Sequence, residues 1–252
     1  MAIKVQETET PNNQGVNFPE SALAHQYCID NGVEIGAAAH NSFGLPGSIN
    51  VAPEDDYQFY VEVQNKMCGA HALIDIVGEA DDTQVDDHSQ NYVISSHAIE
   101  HFPDVVGAFL EWNRILRLGG IIFMTVPHRD AHPPDVGREL SSVEQLFKAY
   151  EDGWTAQTVP ADVVKAAGGQ RGHIWVFTLD SMLQLIAASN EAYGLSWDVV
   201  DTLAVDDKVG NGFTVVAKYS PTPEEKPVVE LPHSAGKSKP VEKKVAKGKG
   251  EI

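Results

Sequence analysis

The chain is poor in cysteine and lacks long apolar runs, and each shortage excludes a class of protein. Cys28 and Cys68 are its two cysteines among 252 residues, so no disulfide framework is predicted and a reduced, cytoplasmic protein is the simpler interpretation. No apolar run approaches the roughly 18 residues that a membrane-spanning helix needs. The first residues show neither a cationic start nor an apolar stretch, so they predict no secretory signal.

Positive charge is also scarce. Lys and Arg total 18 against 36 Asp and Glu, which gives a formal net charge of −18. An acidic surface repels phosphate backbones and anionic lipid, so neither nucleic acid nor a membrane is an expected partner. Because 42% of the residues are hydrophobic, the chain can still build a folded core.

Composition divides the chain into three parts. Residues 1–16 are polar, and we expect a flexible N-terminus. Residues 17–220 carry the apolar patterning of a folded domain. Residues 221–252 are rich in lysine and proline and have no Phe, Trp or Tyr, so they cannot bury enough apolar area to order themselves, and we expect a disordered tail.

Short apolar strands alternate with amphipathic helices along the domain, which predicts an α/β fold with a parallel sheet covered on both faces. Gly119 and Gly120 are expected to end one helix and open the most apolar strand. A turn at 207–212 predicts that the last two strands pair antiparallel. The predicted strands are 32–35, 48–51, 72–77, 92–96, 121–126, 196–200 and 213–218, and the predicted helices are 17–28, 104–117, 142–152 and 178–190.

Four segments together point to one family: 33–41 (VEIGAAAHN), 95–101 (SSHAIEH), 114–120 (RILRLGG) and 121–127 (IIFMTVP). In this order and spacing they resemble the class I S-adenosylmethionine-dependent methyltransferases, in particular the type-11 branch. The resemblance implies a Rossmann-like methyltransferase fold, with a mostly parallel seven-stranded sheet whose last strand is antiparallel. It also implies S-adenosyl-L-methionine as cofactor and a small-molecule substrate, with a saccharide-like hydroxyl as the expected acceptor.

The resemblance and the physics of open α/β sheets place the cofactor at the carboxyl ends of the strands, where a glycine lets the backbone approach a ligand closely. Ala38 and His40 stand where the family commonly has further glycines. Ala52 stands where the family has the acid that binds the ribose, and Glu54 or Asp55 could substitute for it. The predicted cofactor-binding residues are Glu34, Gly36, Ala38, His40, Glu54, Glu79, Ala80, Asp81 and Ser96.

Methyl transfer to an oxygen also requires removal of a proton, and histidine suits that task near neutral pH. His128 is the first candidate base, followed by His97 and His101. Arg129 and Arg171 are candidates for holding an anionic substrate. The long insertion 128–172 is predicted to be a substrate lid; the alternatives are a helix hairpin without such a role or a contact in a homodimer.

Other interpretations of the same residues remain open. Residues 97–101 also match H-x-x-E-H, a zinc-peptidase pattern that requires both histidines on one long helix. Pro103 follows too soon for such a helix. Several histidines could meet above the sheet, yet neighbouring imidazoles need not hold a metal, so we predict no metal site. Because Ala52 and the reduced glycine turn depart from the family, a catalytically inactive binding or regulatory protein is the alternative function.

Overall fold

The computed structural model describes residues 20–36, 43–53, 57–68 and 73–221. The predicted N-terminal segment and nearly all of the predicted tail lie outside these ranges. The helices are α1 (Ala22–Tyr27), α2 (Tyr57–Cys68), α3 (Val105–Ile115), α4 (Val143–Glu151), α5 (Ala161–Ala166) and α6 (Leu179–Tyr193). The strands are β1 (Gly32–Ile35), β2 (Ser48–Ala52), β3 (Ile76–Val77), β4 (Gln90–Ser96), β5 (Leu116–Pro127), β6 (Trp197–Leu203) and β7 (Gly212–Tyr219).

The strands form one seven-stranded sheet in the order β3-β2-β1-β4-β5-β7-β6. Neighbours from β3 to β5 pair parallel, whereas β7 pairs antiparallel with both β5 and β6. The predicted fold class, including its reversed last strand, is confirmed. Chain order reverses at β1, which lies between β2 and β4, so the carboxyl end of β1 is where such a sheet opens a ligand crevice.

Apolar side chains bury both faces of the sheet. One core cluster joins the sheet to α3, α4 and α6, with Trp112 and Phe109 fully buried. The other joins it to α1 through Ala24, and Phe43 packs edge-on against Phe123 in this cluster. Within the described residues, no helix is both long and apolar enough to cross a membrane.

The prediction was wrong at Gly119 and Gly120. The helix already ends at Ile115, and β5 begins at Leu116, which pairs with Gln90. The register then shifts, and Tyr92 pairs with Ile121, so the glycines lie in an irregular stretch of the strand. Gly119 has φ +80, which favours glycine.

Several other boundaries differ. The third strand is only two residues long, and the sequence patterning missed α2 and α5. The predicted start of the first helix at residue 17 lies outside the described residues, and the observed helix is capped by Ser21, whose hydroxyl accepts from the Ala24 amide. Ser142 and Thr178, the first residues of two predicted helices, are the observed N-caps, and both complete capping boxes.

The insertion 128–172 is anchored to the body at its helix α4. Leu146 and Ala149 of this helix are buried in the main core, where α4 packs against α3 and α6. Helix α5 buries no residue. If part of the insertion moves over a substrate, we therefore expect the moving part to be α5 and its flanking loops, with α4 as the fixed anchor.

Candidate active site

The turn after β1 has the backbone conformation of a close-approach site. Gly36 has φ +74, and its amide donates to the Val51 carbonyl at 2.9 Å. A Cβ built on Gly36 would lie 3.0 Å from the Cβ of Ala98. A side chain here would thus be strained by the backbone and crowded by Ala98 in the connection after β4, so this turn requires glycine.

Glu34 lies within β1, two residues before this glycine, and is buried. Burial raises the pKa of Glu34 to about 7, although the Lys208 charge and a hydrogen bond from the Phe43 backbone act to lower it. The Lys208 ammonium lies 4.2 Å from the centre of the Phe43 ring. Glu34 is therefore a carboxyl group whose protonation changes near neutral pH.

The carboxyl ends of β2 and β3 present one apolar residue and two exposed acids. Ala52, where the family has an acid, is buried and accepts a hydrogen bond from the Gly78 amide. Glu79 and Asp82 exchange backbone hydrogen bonds in a tight turn, and the side chains of Glu79 and Asp81 are exposed. Of the predicted cofactor residues, Ala38, His40 and Glu54 lie outside the described part of the chain.

Helix α3 holds this turn in place. The Trp112 indole donates to the Ala80 carbonyl at 3.1 Å. Glu111 accepts from both the amide and the hydroxyl of the buried Thr83, at 2.8 and 2.5 Å. Arg114 donates to the same carboxylate and also pairs with Asp87. The turn that carries Glu79 to Asp81 is thus fixed by a buried polar network.

The end of β4 supplies a buried hydroxyl and a strained histidine. Ser96 is buried, and its hydroxyl has no hydrogen-bond partner in the described structure. The next residue, His97, has φ +50, and its amide donates to the Thr125 carbonyl at 2.9 Å. Positive φ in a non-glycine residue costs energy and is concentrated at functional sites.

Residues 97–101 do not form the long helix that a zinc peptidase of this pattern needs, because Ile99 to His101 make a single 3-10 turn. Glu100 is fully buried within that turn, and burial raises its pKa to about 8. Burial lowers the pKa of His101 to about 4. His173, just beyond the insertion, lies against both residues, with its ring centre 4.8 Å from that of His101.

His128 and the two arginines lie at the start and end of the insertion. His128 Nδ1 accepts a hydrogen bond from the Asp130 amide at 3.1 Å, so the neutral ring carries its proton on Nε2. Arg129 makes two hydrogen bonds to the Asp130 carboxylate, at 2.8 and 3.1 Å. Arg171 lies 4.0 Å from the centre of the Phe59 ring of α2.

The sheet brings the ends of β1, β4 and β5 together, and with them Gly36, Ser96 and His128, because β1 and β4 are neighbours, as are β4 and β5. Sequence reasoning did not select His173 and Asp135, which join the histidine group. Asp135 is buried and close to His132 and His173. The one available signal was the histidine after Gly172, but it lies 72 residues from His101 and nothing local links the two.

One known protein family matches the central part of the chain. Residues 55–124 match the family model described as "Methyltransferase domain". No curated protein matches the chain.

Solved structures of S-adenosylmethionine-dependent methyltransferases are similar in outline. The protein from Thermotoga maritima is 19% identical, with 75% of this chain and 81% of that chain covered and a TM-score of 0.41. The protein from Methanosarcina mazei is 12% identical, with 80% and 98% covered and a TM-score of 0.46. The family match confirms the predicted resemblance: over residues 55–124 this chain is similar to the type-11 methyltransferase domain of the class I S-adenosylmethionine-dependent methyltransferases.

Proposed function

We propose that this chain transfers a methyl group from S-adenosylmethionine to a hydroxyl of a small-molecule acceptor. The observation that carries the proposal is the bare turn at Gly36, at the strand where the sheet order reverses. The matched methyltransferase domain begins shortly after this turn and includes the turn at Glu79 and the end of β4. Both lines of support concern the same edge of the sheet.

The residues at this edge fit the cofactor. A side chain at Gly36 would fill the space next to Ala98, and the Ser96 hydroxyl is buried without a partner among the described residues. We assign the Gly36 turn to the methionine portion, Glu79 to Asp81 to the nucleoside, and Ser96 to a polar atom of the ligand. When bound, the cofactor supplies an electrophilic methyl group, so the protein has mainly to position the acceptor.

Two histidines are proposed to act on the acceptor. His128, whose neutral ring donates from Nε2, orients the acceptor oxygen, and proton removal at its Nδ1 would require the Asp130 contact to break. His97 follows the same strand end as Ser96. Its Nδ1 lies 4.0 Å from Glu100 Oε1, so its Nε2 is the remaining candidate base. His101 is assigned no proton transfer, because its Nε2 faces the Glu100 carboxylate.

The arginines favour an uncharged acceptor. Arg129 is already paired with Asp130, and Arg171 lies over Phe59, so an anionic substrate would have to displace these contacts. A neutral acceptor needs no such displacement. We therefore propose a saccharide-like hydroxyl as the first acceptor class to test.

A second candidate function is binding of the nucleoside without methyl transfer. Ala52 motivates it, because an apolar residue at the end of β2 offers no side-chain acceptor for ribose hydroxyls. Weak ribose binding would leave a methyltransferase fold that serves a regulatory or structural purpose.

Isothermal titration calorimetry with S-adenosylmethionine and S-adenosylhomocysteine tests the proposal. Saturable micromolar binding of both is the expected result, and no binding of either would contradict the cofactor assignment. Transfer of a labelled methyl group to a panel of mono- and oligosaccharides then separates an enzyme from a binding protein. Binding without transfer to any hydroxyl or amine acceptor would favour the second candidate.

A further inference from the structure

His101, in the turn after β4, and His173, just beyond the insertion, point ring nitrogens toward one small space. His101 Nδ1 lies 3.1 Å from the Gly172 carbonyl oxygen, which can only accept, so Nδ1 carries the proton. His173 Nδ1 lies 2.5 Å from Asp135 Oδ2 and donates to it in the same way. The Nε2 atoms of both rings therefore keep their lone pairs.

A buried carboxyl group faces these two lone pairs. The Glu100 side chain is 2% exposed, and neither of its oxygens accepts a hydrogen bond from another described residue. Its Oε1 lies 3.7 Å from His101 Nε2 and 3.8 Å from His173 Nε2. Three atoms with lone pairs thus converge at distances too long for direct hydrogen bonds, and a buried carboxyl group without a hydrogen-bond partner is costly.

We propose that Glu100 Oε1, His101 Nε2 and His173 Nε2 bind a divalent transition-metal ion, with Zn²⁺ best suited to the donor set. A tetrahedral ion about 2.05 Å from each donor sets neighbouring donors about 3.4 Å apart. The observed separations of Glu100 Oε1 from the two Nε2 atoms, 3.7 and 3.8 Å, are slightly larger, so both rings have to move inward to complete the site.

The surroundings resemble those of known metal-binding histidines. Asp135 accepts from His173 Nδ1 and also accepts from Arg138 at 2.7 Å, so the carboxylate is held on both sides. A carboxylate behind a ligating histidine fixes its ring orientation and raises its basicity. Three protein ligands leave one position for water or for an acceptor oxygen. The ion would also tie the end of the insertion to the turn after β4.

A second position for an ion is less favourable. His132 Nδ1, His173 Nδ1 and Asp135 Oδ2 also lie within reach of one another. However, His132 and His173 are 3.1 and 2.5 Å from that oxygen, which are hydrogen-bond distances with a proton between the atoms. The structure thus favours His101 rather than His132 as a ligand. This differs from the sequence prediction of no metal site, because residues distant in sequence complete the cluster.

Metal binding is measured on the full chain. The protein is stripped with a chelator and titrated with Zn²⁺ against a chromophoric competitor, and the visible spectrum of the Co²⁺ form is recorded. We expect one equivalent bound with submicromolar affinity, a higher Tm on addition of Zn²⁺, and loss of at least tenfold in affinity for Glu100→Gln and His101→Ala. Asp135→Asn should weaken binding about 10- to 100-fold without abolishing it.

Matched controls separate the two positions and exclude surface binding. His132→Ala and His88→Asn should keep the affinity within about threefold, and Asn tolerates the positive φ of His88. Circular dichroism confirms that each variant is folded, and Glu100→Gln is nearly isosteric. No binding by the folded wild type at micromolar Zn²⁺ would overturn the proposal. So would unchanged affinity in both Glu100→Gln and His101→Ala, or loss of binding in His132→Ala with retention in His101→Ala.

Discussion

Replacing Glu111 by alanine should loosen the turn at Glu79 to Asp81 and weaken cofactor binding. The Glu111 carboxylate accepts from the Thr83 amide and hydroxyl and from Arg114. Thr83 is fully buried, so both of its polar groups would be left without an acceptor. This network and the Trp112 indole attach the turn to α3. Loss of the Glu111 carboxylate should therefore lower both the stability of the protein and its affinity for the cofactor.

The magnitude follows from the groups left unpaired. Each buried donor without a partner costs about 1–3 kcal/mol, and Arg114 keeps Asp87 and the Val85 carbonyl as partners. We therefore expect Glu111→Ala to lower the free energy of unfolding by about 3 kcal/mol, or Tm by about 6–12 °C in a domain of this size. Glu111→Gln keeps an acceptor for Thr83, so it should cost about half as much.

Thermal unfolding followed by circular dichroism measures the effect, and calorimetry at a temperature where every variant is folded measures affinity for S-adenosylhomocysteine. Glu191→Ala, an exposed glutamate in α6, is the matched control. We expect the affinity to fall by about tenfold in Glu111→Ala, which corresponds to about 1.4 kcal/mol of binding free energy. The affinity of the control should stay unchanged. A loss of Tm no greater than in Glu191→Ala would refute the argument from buried donors.

Three further predictions concern the core and its titration. Leu146→Ala should cost about 2–5 kcal/mol by chemical denaturation, because this α4 side chain is 1% exposed; a cost below about 1 kcal/mol would show that α4 is detachable. Burial raises the pKa of Glu34 to about 7 in the folded state, from 4.5, so its contribution to stability should fall as pH rises between these values. Glu34→Gln should remove that part of the pH dependence of stability, and at pH 8 it should unfold at a higher denaturant concentration than the wild type. Identical stability profiles against pH in the two proteins would contradict this prediction. Trp175→Phe should cost about 1 kcal/mol through loss of the 2.7 Å hydrogen bond to Phe102, and an unchanged midpoint would contradict it.

The sequence predicted the sheet well because its strands are apolar runs bounded by turn residues. The strand and helix around Ser95 to Arg114 were predictable from local patterning, and the antiparallel pairing of β6 and β7 followed from the turn between them. The glycine pair at 119–120 misled because glycine is typical both of helix ends and of irregular strands. Here the helix ended earlier, where Leu116 could pair with Gln90.

The candidate site was only partly predictable for a different reason. Gly36 and Ser96 lie at the carboxyl ends of neighbouring strands, so the topology places them at one edge. The contact of His173 with Glu100 depends on how the insertion folds back, and no local pattern encodes that distance. Arg129 and Asp130 are adjacent in sequence, so contact between their side chains was possible from the sequence. Whether they form a hydrogen bond depends on the side-chain conformations, which only the structure shows.

If the turn at Gly36 receives the cofactor, Gly36→Val should lose binding of S-adenosylhomocysteine, which titration calorimetry measures. Gly153→Ala is the matched control, since Gly153 also has positive φ but a Cβ added to it would meet no atom within 4 Å. We predict micromolar binding by the wild type and the control, and no detectable binding by folded Gly36→Val. Wild-type affinity in Gly36→Val would contradict the placement of the site.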